Sequence, residues 1–153
     1  HNFDGPVCVR FPRGKSEIEE FVSDSTIELG KGNIVKTGKD TAIFAFGNML
    51  EIALKASEKI NATVIDMRFV KPLDKNLIID IANNSKLLIS IEDNTVNGGA
   101  GSAINELLQE NNISTPLKIL GVPDKVTEHG SQSELYELYG LTPENIINIS
   151  EPK

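Results

Sequence analysis

Short apolar runs alternate along the chain with stretches whose apolar residues recur at helical spacing. The short runs are rich in β-branched and aromatic residues and are bounded by glycine, proline or polar residues, a pattern typical of β-strands. Six such runs predict strands, at residues 6–11, 34–35, 41–46, 63–67, 87–91 and 117–121. The run 41–46 is continuously apolar, which indicates a strand buried on both faces.

Helices are predicted between these strands. Residues 49–60 carry an apolar stripe with charged residues on the other face. Asp74 is the predicted N-cap of a second helix, and the glycine-rich segment 98–102 leads into a third. Two more helices are indicated by local signals at the C-terminal end: a capping box formed by Ser131 and Glu134 with a stop at Gly140, and an N-cap followed by a first-turn proline at Thr142-Pro143.

This alternation predicts the α/β class. Strands and helices joined by short right-handed crossovers form a mostly parallel sheet, so we expect a three-layer α/β/α sandwich with about five strands. The strand at 6–11 has no local partner, and the polar stretch after it lacks a sustained period. We therefore expect three parts: residues 1–14 as the tail of an upstream domain, 15–28 as a linker, and 29–153 as the organised domain.

Composition narrows the function classes. Among 153 residues, 15 Lys and Arg face 22 Asp and Glu, a formal charge of −7 that argues against a nucleic-acid partner. No apolar run approaches the roughly 18–20 residues that cross a bilayer, so we expect no membrane insertion. The single cysteine, Cys8, cannot form an internal disulfide; we expect it to pack as a small apolar residue in a protein of the reducing cytoplasm.

Polar residues near the predicted strand ends are the first candidates for chemistry, because ligands of open parallel sheets bind there. The loop 98–102 precedes a helix and could hold an anion, yet it lacks the spacing of a nucleotide-binding motif, and we expect its glycines to permit close packing instead. Glu92 and Asp93 could hold Mg²⁺, but with no second carboxylate cluster nearby we expect a solvated or salt-bridged pair.

Three cationic positions and one histidine complete the candidates. His129 could act as an acid–base group, but a loop histidine bonded to backbone is the favoured interpretation. Arg68 and Lys71 suggest a buried ion pair or an interface rather than a substrate clamp. Arg13, between Pro12 and Gly14, presents a guanidinium suited to phosphate or carboxylate. The residues do not supply a complete acid–base pair or a metal-ligand cluster, so no catalytic residue is assigned.

Several motifs together resemble a known family. They are Phe11-Pro12-Arg13-Gly14, the string from Asp66 to Asp74, the segment from Ile91 to Ser102, and Pro123-Asp124 with His129-Gly130. In order and spacing they are similar to the C-terminal region of the 1-deoxy-D-xylulose-5-phosphate synthases, which are members of the transketolase superfamily. The string Arg-Phe-Val-Lys-Pro-Leu-Asp is the most specific part of the resemblance.

The resemblance implies a homodimeric enzyme dependent on thiamine diphosphate and Mg²⁺ that condenses pyruvate with glyceraldehyde 3-phosphate, releasing CO₂ and forming a precursor of isoprenoids, thiamine and pyridoxal. The cofactor and the activating glutamate would belong to upstream domains. Residues 1–14 would be the end of the pyrimidine-binding domain, where Arg13 would bind the substrate phosphate. Phenylalanine at position 11 replaces the family's tyrosine. The rest would be the non-catalytic C-terminal domain, inactive and cofactor-free by itself.

Two alternatives stay open at this point. One is an independent regulatory module whose glycine-rich loop binds a nucleotide or another anion. The other is a fragment of a 2-oxo acid dehydrogenase beta chain, which fits less well because of Phe69-Val70-Lys71.

Overall fold

The structure, a computed structural model, describes residues 4–6, 8 and 27–151. Most of the predicted strand 6–11 and of the predicted linker 15–28 lies outside the described residues, as does Arg13. Cys8 is described and is solvent-exposed, so the expectation that it packs as an apolar residue is wrong. The preference of free thiols for protein interiors is statistical, and it does not hold at this position.

From Asn33 onward, strands and helices follow one another as the hydrophobic pattern predicts. The strands are β1 (Asn33–Lys36), β2 (Thr41–Ala45), β3 (Thr63–Asp66), β4 (Leu87–Thr95) and β5 (Leu117–Val122). The helices are α1 (Met49–Ile60), α2 (Lys75–Asn83), α3 (Ala100–Glu110), α4 (Gln132–Tyr139) and α5 (Pro143–Ser150). Each element predicted in the described part of the chain is confirmed, but β4 continues beyond its predicted end at Ile91.

The five strands form one sheet in the order β1-β3-β2-β4-β5. β2 pairs in parallel with both β3 and β4, and β4 pairs in parallel with β5, whereas the edge strand β1 runs antiparallel to β3. Phe44 in β2 lies opposite Ile65 of β3 and Ser90 of β4. The prediction of a mostly parallel, five-stranded sheet is therefore confirmed.

Helices cover both faces of this sheet. Neighbouring residues of β2 point to opposite sides: Phe44 packs with α2 and α3, while Ile43 packs with α1 and α5. Both side chains are fully buried. The sheet therefore has one apolar core on each face, and these two cores hold the three layers together. Each large apolar side chain buried in them contributes about 1.5–3 kcal/mol. This is the α/β/α sandwich expected from the sequence.

Helix α4 begins and ends at the predicted residues, and α5 begins at its predicted N-cap. The Ser131 hydroxyl accepts a hydrogen bond from the Glu134 N–H at 3.3 Å, and the Glu134 carboxylate accepts one from the Ser131 N–H at 2.8 Å. The Ser131 hydroxyl also donates to Glu134 Oε2 at 2.7 Å. This bond first, and then the bond from the Ser131 N–H, lower the pKa of Glu134. Gly140 ends α4 with φ of 67°, and the Thr142 hydroxyl accepts from the Asn145 N–H at the start of α5. The capping residues thus fix both helix boundaries.

In the described part of the chain, no helix combines the length and apolar character needed to span a membrane.

Candidate functional site

A group of partly buried and exposed polar side chains lies where the sheet changes direction. β2 stands between β3 and β4, so the chain leaves β2 toward one edge of the sheet and later builds β4 and β5 toward the other. The gap between the carboxyl ends of β2 and β4 is therefore the topological switch point, the usual ligand position in open α/β sheets. Asn48 follows β2 and Asp93 lies near the end of β4. Tyr136 of α4 reaches both side chains.

Four side chains form a hydrogen-bonded group here, which we call the switch-point cluster: Asn48, Asp93, Gln132 and Tyr136. The Tyr136 hydroxyl donates to Asp93 Oδ2 at 2.8 Å. It accepts from Asn48 Nδ2 at 2.6 Å and from Gln132 Nε2 at 2.8 Å. Asn48 Nδ2 also lies 3.4 Å from Asp93 Oδ2. The phenol hydroxyl is thus held from three sides, which fixes α4 over the switch point.

Partial burial, and then the hydrogen bond to the Asp93 carboxylate and its negative charge, raise the pKa of Tyr136 well above its ordinary value of 10.0. The phenol therefore stays protonated, as a donor to Asp93, throughout the neutral range. A general acid–base needs a pKa near the working pH. The cluster is suited to positioning and binding rather than to proton transfer.

Tyr136→Phe tests the cluster. The variant loses the donor to Asp93, and we expect the free energy of unfolding near neutral pH to fall by about 1–2 kcal/mol. A raised folded-state pKa contributes stability that is fully present below pH 10.0 and is lost as the pH rises toward the folded value. The difference in the free energy of unfolding between the parent chain and the variant should therefore become smaller above pH 10.0. Urea unfolding of both proteins near neutral pH and above pH 10.0 would measure it.

Tyr139→Phe is the matched control. The Tyr139 hydroxyl is buried and has no hydrogen-bond partner in the described part of the chain. Its removal should leave stability nearly unchanged. Equal losses in both variants would contradict the role given to the Tyr136 hydrogen bonds.

A cavity of about 390 Å³ opens beside the cluster, between the carboxyl ends of β4 and β5 and helix α4. Its lining combines one carboxylate with two phenols, an amide, a hydroxyl and small apolar groups, from Asp93, Val122, Thr127, Gly130, Gln132, Leu135, Tyr136 and Tyr139. The volume suits a small molecule.

Glu92 occupies a different place from the one the sequence suggested. Its side chain is only 4% exposed, and its two carboxylate oxygens accept the backbone N–H groups of Ala100 and Gly101, each at 2.8 Å. The expectation that the two adjacent carboxylates are solvated or bound to cations is therefore wrong for Glu92. Glu92 reaches the first turn of α3, where free N–H groups and the helix dipole favour an anion.

The glycine-rich segment allows this close approach. A Cβ on Gly99 would lie 2.5 and 2.6 Å from the Glu92 oxygens, and one on Gly101 would lie 2.5 Å from Ile119 Cγ2 and from Ser90 Oγ. The expectation that the glycines of this loop serve close packing is confirmed for Gly99 and Gly101, whereas Gly98 has open space around it and a φ of 72°. The N–H groups that an external phosphate would use are already taken by Glu92.

The string from Asp66 to Asp74 is built into the scaffold. The Arg68 guanidinium forms an ion pair with Asp66 at 3.2 Å. The sequence suggested a buried ion pair, but this one lies at the surface. Asp74 caps α2 by accepting the Leu77 N–H at 3.3 Å, as predicted, and it also accepts the Gly32 N–H at 3.3 Å. This string therefore ties α2 to the start of β1. Lys71 is exposed.

His129 is exposed in the segment between β5 and α4. Among the described residues none forms a hydrogen bond with its side chain, so the expected bond to backbone is not found. The structure does not bring His129 together with the switch-point cluster, and the position of Arg13 lies outside the described residues.

Sequence reasoning missed the switch-point cluster. Asn48 follows β2 and Asp93 lies near the end of β4, and polar residues at strand ends could have indicated a site there. Tyr136 carried none, because a tyrosine on a short amphipathic helix is ordinarily a packing residue. The cluster depends on α4 folding back over the switch point, a tertiary contact between residues 43 positions apart.

A thiamine diphosphate or Mg²⁺ site does not fit the described residues. Over 27–151 and the described positions before it, no three His, Cys, Asp or Glu side chains gather in a group that could hold a metal ion. The helix N-terminus best placed for a diphosphate is neutralised internally by Glu92.

Comparison with known proteins identifies the fold. The family model described as "Transketolase, C-terminal domain" matches residues 30–146, which is more than half of the chain. The chain belongs to the transketolase C-terminal domain family. A solved chain called "Split gene transketolase, inactive beta4 tetramer" superposes on this transketolase C-terminal domain with a TM-score of 0.76 and 35% identity, over 82% of this chain and 42% of that one.

Curated relatives of this transketolase C-terminal domain carry the name 1-deoxy-D-xylulose-5-phosphate synthase. The protein from Dechloromonas aromatica is 47% identical over 94% of this chain. Those from Neisseria gonorrhoeae and Vibrio vulnificus are 46% and 45% identical over 94% and 95% of it. The chain spans only 24%, 23% and 24% of these three proteins, about a quarter of their length.

Proposed function

We propose that this chain is the C-terminal domain of a longer 1-deoxy-D-xylulose-5-phosphate synthase, an enzyme that condenses pyruvate with glyceraldehyde 3-phosphate to 1-deoxy-D-xylulose 5-phosphate and CO₂. The supporting observation is the 45–47% identity to proteins of that name over nearly the whole chain. Their greater length leaves room for domains that this chain lacks.

The longer enzyme would use thiamine diphosphate, which supplies the carbanion chemistry, and Mg²⁺, which holds the diphosphate. Since the described residues do not fit either group, we assign both to domains upstream of this chain. Alone, the domain would bind neither and would be inactive. The solved relative whose name includes "inactive beta4 tetramer" supports this view.

The division of the chain follows from the same proposal. Residues 1–14 would end the upstream pyrimidine-binding domain, 15–28 would link it to the organised domain, and the family match at 30–146 supports the start of that domain near residue 29. Arg13 would bind the phosphate of glyceraldehyde 3-phosphate, because a guanidinium can donate two parallel hydrogen bonds to phosphate oxygens.

The wider setting is inferred from the relatives. The synthase would act as a homodimer in the cytoplasm, with its own upstream domains as the first partners of this domain. Its product would feed isoprenoid, thiamine and pyridoxal synthesis.

A chimera tests the proposal. The segment of the Dechloromonas aromatica protein that aligns with this chain would be replaced by residues 1–153, and product formation from pyruvate and glyceraldehyde 3-phosphate would be followed with both cofactors present. We expect turnover by the chimera and none by the chain alone. A folded chimera without turnover, or turnover by the chain alone, would refute the proposal.

Arg13 is tested in the same chimera. Arg13→Ala should raise the KM for glyceraldehyde 3-phosphate about ten- to a hundredfold, the loss expected for charge-assisted hydrogen bonds to phosphate, and leave the KM for pyruvate unchanged. Arg13→Lys keeps the positive charge but cannot donate two parallel hydrogen bonds. Its KM for glyceraldehyde 3-phosphate should therefore lie between that of the unchanged chimera and that of Arg13→Ala. An equal rise for both substrates would argue against phosphate binding by Arg13.

A further inference from the structure

We infer that the cavity beside the switch-point cluster binds a small organic cation, an alkylammonium ion paired with Asp93. The proposal is independent of the synthase reaction, since the cavity is formed within this domain alone. The cavity opens at the carboxyl ends of β4 and β5, next to the switch point between β2 and β4, and about 390 Å³ falls within the range of small-molecule sites.

The charge of the lining selects a cation. Asp93 is the only carboxylate among the described lining residues, and no lysine, arginine or histidine joins it. Both hydrogen bonds that Asp93 accepts, from Asn48 and Tyr136, end on Oδ2. Oδ1 is left without a partner in the described part of the chain. An anion here would meet an uncompensated carboxylate, whereas an ammonium group would neutralise it.

Two tyrosines add the aromatic surfaces that organic cations prefer. Tyr136 and Tyr139 both line the cavity. The ring of Tyr139 already attracts a cation of the chain itself, because Lys125 Nζ stands 5.4 Å from the ring centroid. Because Lys125 already lies over Tyr139, an ammonium ion in the cavity would have Tyr136 as its main aromatic contact.

Three buried hydroxyls in the described part of the chain lack a hydrogen-bond partner, those of Ser90, Thr95 and Tyr139, and of these three residues Tyr139 lines the cavity. The Tyr139 hydroxyl is buried and without a hydrogen bond in the described part of the chain, in a structure where buried polar groups are otherwise mostly satisfied. A ligand whose ammonium group meets Asp93 would pack against Tyr139, which lines the cavity. Neighbouring Val122 and Leu135 would contact its alkyl part.

Butylamine and butanol are the probes, since they share size and shape but differ in charge. Amide chemical-shift titration of the 153-residue chain at fixed ionic strength should show butylamine binding with a Kd of about millimolar, as suits a ligand of few atoms, and butanol binding about tenfold more weakly. The shifts should centre on Asp93, Gln132 and Tyr136. Equal affinities for the two probes, or no saturable shifts with butylamine, would overturn the proposal without any variant.

Asp93→Asn tests the counter-charge. It should weaken butylamine binding about tenfold and leave butanol binding unchanged. Asp124→Asn is the control, because it removes the same charge from an exposed residue outside the cavity lining. Equal effects of the two variants would mean that overall charge attracts the amine, and the assigned site would be wrong. Since the cavity needs no upstream domain, these outcomes are separate from those of the chimera experiment.

Discussion

Replacement of Glu92 by glutamine is expected to lower the free energy of unfolding of the chain by about 3 kcal/mol. Both carboxylate oxygens accept backbone N–H groups, from Ala100 and Gly101, in a buried setting. Glutamine offers one oxygen and one NH₂ group, so one of the N–H donors would face another donor. The variant also loses the negative charge that complements the N-terminus of α3.

Urea unfolding of the purified chain at neutral pH would measure this effect. Glu106→Gln is the matched control, since Glu106 lies on the same helix and is exposed. We expect the control to change stability by less than about 0.5 kcal/mol, as for most surface substitutions. If the two variants lost the same stability, Glu92 would not be an essential internal anion for α3.

The position of Glu92 illustrates what the sequence could and could not predict. The order and type of the elements followed from local signals: apolar runs such as 41–46, the N-cap at Asp74 and the capping box at Ser131. These patterns act over a few residues, so they can be recognised without the fold. The class and the mostly parallel sheet followed from their alternation.

The partners of the polar residues could not be predicted in the same way. Glu92 and Asp93 are adjacent in sequence and both were expected to be solvated or salt-bridged, yet they contact different elements: Glu92 contacts the N-terminus of α3, and Asp93 contacts Tyr136 of α4. The pairing of β4 with β5 is irregular between Ile91 and Thr95, so the directions of these side chains depend on a contact between two strands and could not be obtained from the residues of β4 alone.

This arrangement also bears on function. A free helix N-terminus after a glycine-rich loop would favour the independent anion-binding module considered from the sequence. Because Glu92 already fills that position, the geometry removes the main support for this alternative. The glycines that resemble a ligand loop are instead needed where α3 approaches the sheet.

Gly101→Val should lower the free energy of unfolding by about 3 kcal/mol, within the upper range for overpacked cores. Helix propensity alone predicts the opposite sign, since valine is a better helix former than glycine. The steric term dominates because a Cβ at this position would lie 2.5 Å from Ile119 Cγ2 and from Ser90 Oγ. Ile119 is β-branched and cannot easily rotate away, so α3 would have to move off β4 and β5.

Ala103→Val separates the two effects. It introduces the same side chain into the same helix at a partly exposed position. The free energy of unfolding should fall only by the difference in helix propensity between alanine and valine, about 0.5 kcal/mol. Thermal and urea unfolding of both variants would give the comparison. A loss at Gly101 no larger than that at Ala103 would mean that α3 can shift freely, and the close packing between this helix and the sheet would not be what requires a glycine at position 101.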